Sequence, residues 1–462
     1  MDGFSKKLIS VIIPHRTDRQ RIICMDSLTN QTYKNLEIIV KFDVECQGAP
    51  VVRNNGFEMA TGDYVFFCDD DIILKPDALE KMATVLDSNP EVGFVYCDYL
   101  KKGTVKGRQN GELFSKDLLK HRNYAATMSL VRREAFQDVG RFDEGLARYQ
   151  DWDLWLRITG AGWKGYYIPE ALFTAFFGKE GISSGGPKNR FKMTHRLKKK
   201  HNINEYAYSV IIPIHNEKPL AQKCLETVLA HTGGDYEVIL VDDCSGKETA
   251  DWIRDQENIG VHVVRSDVQL GHTGAVNLGA KEARGQFLCF LNSDTLVSPQ
   301  WNFLLAQVLI NNMNISAVGP LTSSSASLQQ LHDMYKRRMD YGPGDIVALN
   351  KMVVGKQEKK AVVAKITGFC FVTTSLIWEA IGEFDPEIPA GGNEADWLIR
   401  GMDLGLYPAM CTAVYVHHYG NQTYGKMKDM RQQWNHGNQM VVQKHGQEKM
   451  DRLELELFME KK

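Results

Sequence analysis

Apolar and polar positions fall into short blocks along this chain. Ser10–Pro14 reads SVIIP, a β-branched run closed by proline, and the same five residues return at Ser209–Pro213. Each copy is expected to be a strand leading into a polar loop and a helix. Tyr64–Cys68 (YVFFC) is a continuous apolar run, the pattern of a strand buried on both faces. Farther along, AYSVIIP precedes a helix expected near Leu220–His231. Then come YEVILVDDCS, a helix near Glu248–Gln256, the strand VHVVRS, the glycine-rich GHTGAVNLGAKEARG and the strand QFLCFLNSD. That alternation predicts an α/β fold with a mostly parallel sheet and right-handed crossovers. After Gly420, spaced Met, Trp, Val and Leu in a polar background predict one or two amphipathic helices.

The pattern repeats at long range. YVFFCDDDIILKP (Tyr64–Pro76) is matched by FLCFLNSDTLVSP (Phe287–Pro299), GRFD (Gly140–Asp143) by GEFD (Gly382–Asp385), and QDWDLWLR (Gln150–Arg157) by NEADWLIR (Asn393–Arg400). Four matches in one order imply two copies of one domain rather than a short-period solenoid. Their spacing grows from 199 to 223 to 243 residues, so the second copy carries extra chain, most of it before its acidic strand. The expected division is a first domain over 1–190, a basic linker over 191–206, a second domain over 207–425 and a helical tail over 426–462. The Lys/Arg run of the linker reads as a solvated helix face, with acceptor or membrane-surface binding as the alternative.

Composition narrows the class. The 462 residues have room for two or three domains, and 43% hydrophobic with 24% charged residues is ordinary for a globular chain. A formal charge of -2 gives no bulk attraction for nucleic acid. Nine cysteines are scattered singly with no Cys-x-x-Cys pair, the usage of buried, reduced thiols in a cytosol rather than of a zinc site. The first residues lack the apolar core of a signal peptide, and no stretch reaches the roughly 18 apolar residues of a membrane helix. The expected location is cytoplasmic, at most peripheral at a membrane.

Candidate chemistry starts where YVFFC runs into Asp69, Asp70 and Asp71. Acidic clusters commonly cap helices or sit solvated on loops. Here the run ends an apolar strand, and in open α/β sheets ligands bind at the carboxyl ends of strands. Carboxylates held together there repel unless a cation or donors offset them. Asp69 and Asp71, two apart, could together hold a hard divalent cation.

Taken in order, VIIPHRTDR and VIIPIHNE, EIIVKFD and EVILVDDCS, RNNGFEMATGDYVFFCDDD and GAVNLGAKEARGQFLCFLNSD, with the two acidic-aromatic motifs, resemble the inverting GT-A glycosyltransferases of family 2. The likeness covers most of both halves. It implies two consecutive GT-A domains, of the Rossmann-like nucleotide-diphospho-sugar transferase type, and a sugar donor that is a nucleoside diphosphate, a UDP-sugar first among candidates. It also implies Mn²⁺ or Mg²⁺ beside the diphosphate, held by Asp69 and Asp71 in copy one and by Asp294 in copy two, where Asn292 replaces the first acid. His417 matches a late family histidine that completes metal or diphosphate binding, with His418 the alternative by register. Copy one has no histidine there, and Lys179 is its one basic candidate.

The same resemblance makes Asp151 the base of copy one, with Asp153 in reserve, and Glu394 that of copy two, with Asp396 in the Asp153 place. An acidic helix start is the structural alternative for these residues, and Trp152 and Trp155 read as core. Donor contacts are implied for Pro14, His15, Arg16, Asp43, Arg53 and Asp70 in copy one. In copy two they are implied for Pro213, His215, Glu217, Asp242, Asp243, Gly271 and Gly274. Only nine residues separate Asp43 from Arg53, against thirty-three between Asp243 and Asn277, so copy one is trimmed around the nucleoside.

Three functions compete. The first is a glycosyltransferase with one activity per domain, acting on a glycan, glycoprotein or other hydroxyl acceptor. The second is one active domain with a degenerate one that binds acceptor or partner. The third, nucleotidyl transfer, lacks the glycine-rich Arg/Lys loop it would need.

Overall fold

In a computed structural model, the chain is described over residues 6–16, 22–177, 186–323, 329, 343–354, 361–388, 391–420 and 430–454. It forms two compact units, Met1–Gly186 with Arg196–Ile203, and Pro187–His195 with Asn204–Lys462. The segment expected as a basic linker is largely a helix, Pro187–Lys200, whose residues divide between the two units. The tail forms helices Met430–His445 and Gln447–Glu454.

The first unit contains strands β1 (Ile9–Arg16), β2 (Leu36–Asp43), β3 (Tyr64–Phe67), β4 (Ile72–Leu74), β5 (Val92–Gly103), β6 (Gly107–Gln109), β7 (Leu130–Arg132) and β8 (Lys164–Phe177). They form one sheet in the order β2-β1-β3-β7-β5-β8-β4, with β6 added on β5. Side chains alternate between faces along each strand. Val11, Ile13, Tyr64 and Phe66 therefore fill one core and Ile12, Val65 and Phe67 the other, which is why these strands are apolar throughout.

The second unit repeats the plan with β9 (Tyr206–Ile214), β10 (Tyr236–Asp243), β11 (His262–Ser266), β12 (Gly285–Leu291), β13 (Thr295–Val297), β14 (Ile315–Thr322), β15 (Ala361–Val363), β16 (Cys370–Thr374) and β17 (Tyr407–His418). The order is β11-β10-β9-β12-β16-β14-β17-β13, with β15 on β17. Small polar details recur with the strands. Ser10 donates to Glu37 at 2.5 Å, and Ser209 donates to Glu237 at 2.6 Å. Asn54 and Asn277 each bond reciprocally with one backbone unit, at Phe142 and Phe384. The extra chain of the second unit builds helix Lys247–Asp255, a short 3₁₀ turn and β11 at the sheet edge.

The sheets are more mixed than the expected mostly parallel arrangement. β7 and β16 run against their neighbours, and β4 and β13 pair antiparallel with β8 and β17. The physical reason is the path of the connection. The chain leaves β5 at its carboxyl end and re-enters the sheet from that same end, so β7 must run backwards. The reversed strand begins beside the carboxyl ends of β1 and β3, where the acidic residues lie.

Candidate active sites

In the first unit, β1 and β2 pair in parallel so that Arg16 lies beside Asp43 at the strand ends. The Asp43 carboxylate accepts the amides of Gln47 (2.7 Å) and Gly48 (3.0 Å), which turns the chain into helix Ala49–Met59. That helix carries Arg53, which is 3% exposed and donates from Nη2 to Asp69 Oδ1 at 2.6 Å. Its Nε and Nη1 are buried and have no hydrogen-bond acceptor among the described residues. Asp70 bonds to buried His15 at 2.7 Å. The carbonyl of Asp71 accepts Phe176 N, pinning the acidic turn to β8.

Asp151 opens helix Gln150–Gly160 on the same crevice. It accepts Trp152 N at 2.9 Å and the Thr127 hydroxyl at 3.3 Å, Thr127 standing just before the reversed strand β7. Burial raises its pKa above the ordinary carboxylate range, opposed by the Trp152 amide and, more weakly, by the charge of Arg53. Asp153, two residues on, faces elsewhere. It is fully buried and bonded to Arg157 (2.8 Å), Lys200 (2.6 Å) and His201 (2.8 Å). Burial alone would raise its pKa, but the hydrogen bonds from His201 and Lys200 and the charge of Arg157 hold it well below the usual value. Trp152 and Trp155 are core residues whose indole N–H groups donate to the carbonyls of Leu119 and Ala125.

The second unit reproduces the frame with different side chains. Asp243 accepts the amides of Leu270 (2.6 Å) and Gly271 (3.0 Å), the counterpart of the Asp43 turn. Gly271 has φ +71°, a left-handed conformation that suits glycine. Gly274 is there for packing, since a Cβ would stand 2.7 Å from Leu270 Cβ. Asp242 is 1% exposed, accepts Ser245 N at 2.9 Å and pairs with Arg265 on β11. His215, just beyond Pro213, donates from Nδ1 to the Asp243 carbonyl at 2.7 Å, and Glu217 caps the next helix with φ 53°.

On the acidic turn, His272 Nε2 lies 3.1 Å from Asn292 Oδ1, in the role that Arg53 has toward Asp69. Asp294 is 5% exposed, with His418 Nε2 3.3 Å from its Oδ1. The histidine expected to complete this site, His417, points into the interior instead. Its Nδ1 lies 3.1 Å from both Ser323 Oγ and Tyr415 Oη, and burial pushes its pKa down to about 4. The alternation of β17 puts one histidine on each face, and His418 has the face toward Asp294. Glu394 opens helix Asn393–Asp403 and accepts Gly368 N at 3.4 Å. Asp396 is fully buried and bonded to Arg400 (2.9 Å), Lys444 (2.8 Å) and His445 (2.7 Å).

Lys179 and much of the acceptor-side stretch 319–360 lie outside the described residues. Among the described residues no group of three or more His, Cys, Asp and Glu side chains could hold a metal ion on its own. Each acidic turn offers two protein groups, Asp69 with Asp71 or Asp294 with His418. That donor set fits a divalent cation only where a ligand or water completes its shell. Reading the sequence alone missed Arg265, His272, Thr127 and the two Lys-His pairs. The pairs left a signal, since KKKHN and VQKHG follow the two acidic-aromatic motifs at nearly equal distance.

Residues 209–377 match Glycosyl transferase family 2, and residues 26–164 match Glycosyltransferase like family 2. The chain is thus a tandem of two family-2 glycosyltransferase domains, each of the GT-A fold. One relative is the O-antigen biosynthesis protein RfbC of Myxococcus xanthus, 25% identical over 79% of this chain, and the chain spans only 31% of that protein. Another is the amylovoran biosynthesis glycosyltransferase AmsB of Erwinia amylovora, 28% identical over 35% of this chain and 67% of its own. Among solved structures, a mannosyltransferase from Pyrobaculum calidifontis in complex with GDP-Man and Mn²⁺ is 16% identical. That likeness covers 54% of this chain and 68% of the other with a TM-score of 0.40.

Proposed function

We propose that each unit transfers a sugar from a nucleoside-diphosphate donor to an acceptor hydroxyl with inversion, one activity per unit. The observation that carries this reading is the twofold recurrence of one juxtaposition. In each unit an acidic turn at the end of β3 or β12 stands with a carboxylate in the first turn of the acidic-aromatic helix, Asp151 or Glu394. The acceptor oxygen attacks the anomeric carbon as the bond to the diphosphate breaks, and Asp151 or Glu394 takes the hydroxyl proton. A base raised above the ordinary carboxylate range, as Asp151 is, accepts that proton more readily.

The leaving diphosphate gains charge. In the first unit Arg53, beside Asp69, has two nitrogens, Nε and Nη1, with no acceptor among the described residues, a donor pattern suited to phosphate oxygens. In the second, His272, from an earlier position on its helix, reaches the acidic turn at Asn292. Mn²⁺ or Mg²⁺, when bound at Asp69 and Asp71 or at Asp294 and His418, would supply further neutralisation. The nucleoside falls to His15, Arg16 and Asp43 beside Pro14 in the first unit. In the second it falls to His215, Glu217, Asp242 and Asp243 beside Pro213, with a UDP-sugar the first donor to test. Asp153 and Asp396 serve as anchors rather than bases, since their oxygens are occupied and buried.

The printed names of two relatives, in O-antigen and amylovoran biosynthesis, support a glycan acceptor over a glycoprotein or another hydroxyl compound. Nine free cysteines, seven of them buried, support a reducing, cytoplasmic setting. No helix among the described residues is long and apolar enough to cross a membrane, and peripheral attachment is compatible with that. Asn292 and Glu394 favour a second reading in which the second unit only binds. The deciding experiment measures nucleoside diphosphate release over a panel of donors. Asp71→Asn should abolish one transfer and Asp294→Asn another; if neither changes release, the assignment fails.

A further inference from the structure

We infer that the helices following each domain act as positioning elements for its base, through a Lys-His pair that grips the far side of the base-bearing helix. The inference rests on the assignment of Asp151 and Glu394 above. Residues two apart on an α-helix point about 200° away from each other. Asp151 therefore faces the crevice while Asp153 faces the opposite side, and the same holds for Glu394 and Asp396.

The grip on that side is the same in both units. Lys200 Nζ lies 2.6 Å from Asp153 Oδ1 and 2.6 Å from Asp143 Oδ2. Lys444 Nζ lies 2.8 Å from Asp396 Oδ1 and 2.6 Å from Asp385 Oδ2. His201 Nε2 and His445 Nε2 reach the same Oδ1 atoms at 2.8 and 2.7 Å. Both carboxylates are held ionised, so they only accept, and each histidine must carry its proton on Nε2. The second oxygen of each aspartate takes Arg157 or Arg400, one turn along the helix. Those arginines donate in addition to the carbonyls of Val139 and Ile381. Asp143 and Asp385 belong to the GRFD and GEFD repeats, so in each unit that repeat, the acidic-aromatic helix and the Lys-His pair close into one cluster.

Such a cluster sets the rotation of the helix about its own axis, and thereby the aim of the carboxylate on the other side. A surface salt bridge would have no such hold, but Asp153 and Asp396 are fully buried. The arrangement has arisen on two different segments, one between the domains and one in the tail. The tail helix is then a working part of the second unit.

The test uses the full chain. His201→Ala is made with Asp294→Asn, and His445→Ala with Asp71→Asn, so that one unit is read at a time. Release of nucleoside diphosphate is followed over UDP- and GDP-hexoses. Each alanine variant is expected to lower kcat by about tenfold to a hundredfold, the scale of a slight misplacement, with KM within about twofold. His201→Gln and His445→Gln, which keep an N–H donor, are expected to restore most of it. Unchanged kcat, or a change in KM alone, overturns the inference. Amide exchange read by mass spectrometry needs no turnover. His201→Ala should speed exchange within 150–160 and His445→Ala within 393–403, each leaving the other helix alone. No acceleration overturns the inference by itself. If the unsubstituted chain turns over no donor, the transfer reading fails, while the exchange result still decides the clamp.

Discussion

The two units differ most where a nucleoside would lie. In the second, β11 flanks β10, and its Arg265 pairs with buried Asp242. In the first, β2 is the outermost strand described, and Phe42, 52% exposed and edge-on to His15, stands where Asp242 stands. Yet the inner sheet, the turn made by Asp43 or Asp243, and the Ser-Glu bond at the opposite strand ends are kept. The lesson is that the outer strand is separable. Its contacts support the Asp242 end of β10, while the acidic turn is fixed by β1, β3 and β8 or their counterparts, none of which needs β11. The charges at the acidic turn are also balanced differently. The first unit sets Arg53 against Asp69, and the second replaces that pair with His272 and neutral Asn292 and adds His418 against Asp294.

The comparison breaks hardest at the first-turn carboxylates. Asp151→Asn is expected to cut first-unit transfer by about 10²–10⁴-fold and leave second-unit transfer intact, and Glu394→Gln to do the reverse. Donor-specific release of nucleoside diphosphate reads both, and a joint loss from one substitution would show that the units do not act independently. Next come the anchors. Asp153→Ala or Asp396→Ala removes the buried acceptor shared by an arginine, a lysine and a histidine and should cost about 1–3 kcal/mol of stability, measured by denaturant unfolding.

A smaller effect sharpens the nucleoside contrast. Arg265→Ala is expected to weaken UDP binding to the second unit about tenfold, or 1.4 kcal/mol, while Phe42→Ala weakens only the first. Calorimetric titration in the single-unit backgrounds separates them, and equal effects on both units would end the distinction.

The smallest effect is a shift with pH. Burial raises the pKa of Asp151, so it protonates at a higher pH than an ordinary aspartate, near 4. First-unit kcat/KM should therefore fall on the acid side earlier than a normal carboxylate would dictate. Asp153 and Asp396 have the opposite sign. Their folded pKa values are depressed, so their stabilisation is complete above about pH 4 and is lost as the pH falls toward those values. A first-unit acid limb at the position of an unperturbed aspartate would remove the role given to burial.

Much of this was legible in the residues. The apolar runs marked β1, β3, β9 and β12, and the ordered repeats marked two copies. The extra residues before the second acidic strand became helix Lys247–Asp255 and β11. Other features were not. KKKHN has the composition of a solvated charged face, and its partner, Asp153, lies 45 or more residues away in sequence, where an acid at a helix start gives no sign of it. His417 and His418 could not be separated, since only the strand register decides which faces Asp294. The reversal of β7 and β16 was hidden because a three- to five-residue apolar run reads the same in either direction.

Local chemistry along the chain was enough to determine the class. Apolar runs that must be buried, turn formers between them and acids at strand ends leave few architectures open, and repetition doubles the constraint. Which acid faces the crevice and which faces a lysine and a histidine was decided only in three dimensions. Two aspartates separated by one residue have the same composition and the same neighbours in sequence. A helix turns them to opposite sides, and only what packs on each side makes one a carboxylate with no cation bonded to it and the other an anchor held by an arginine, a lysine and a histidine.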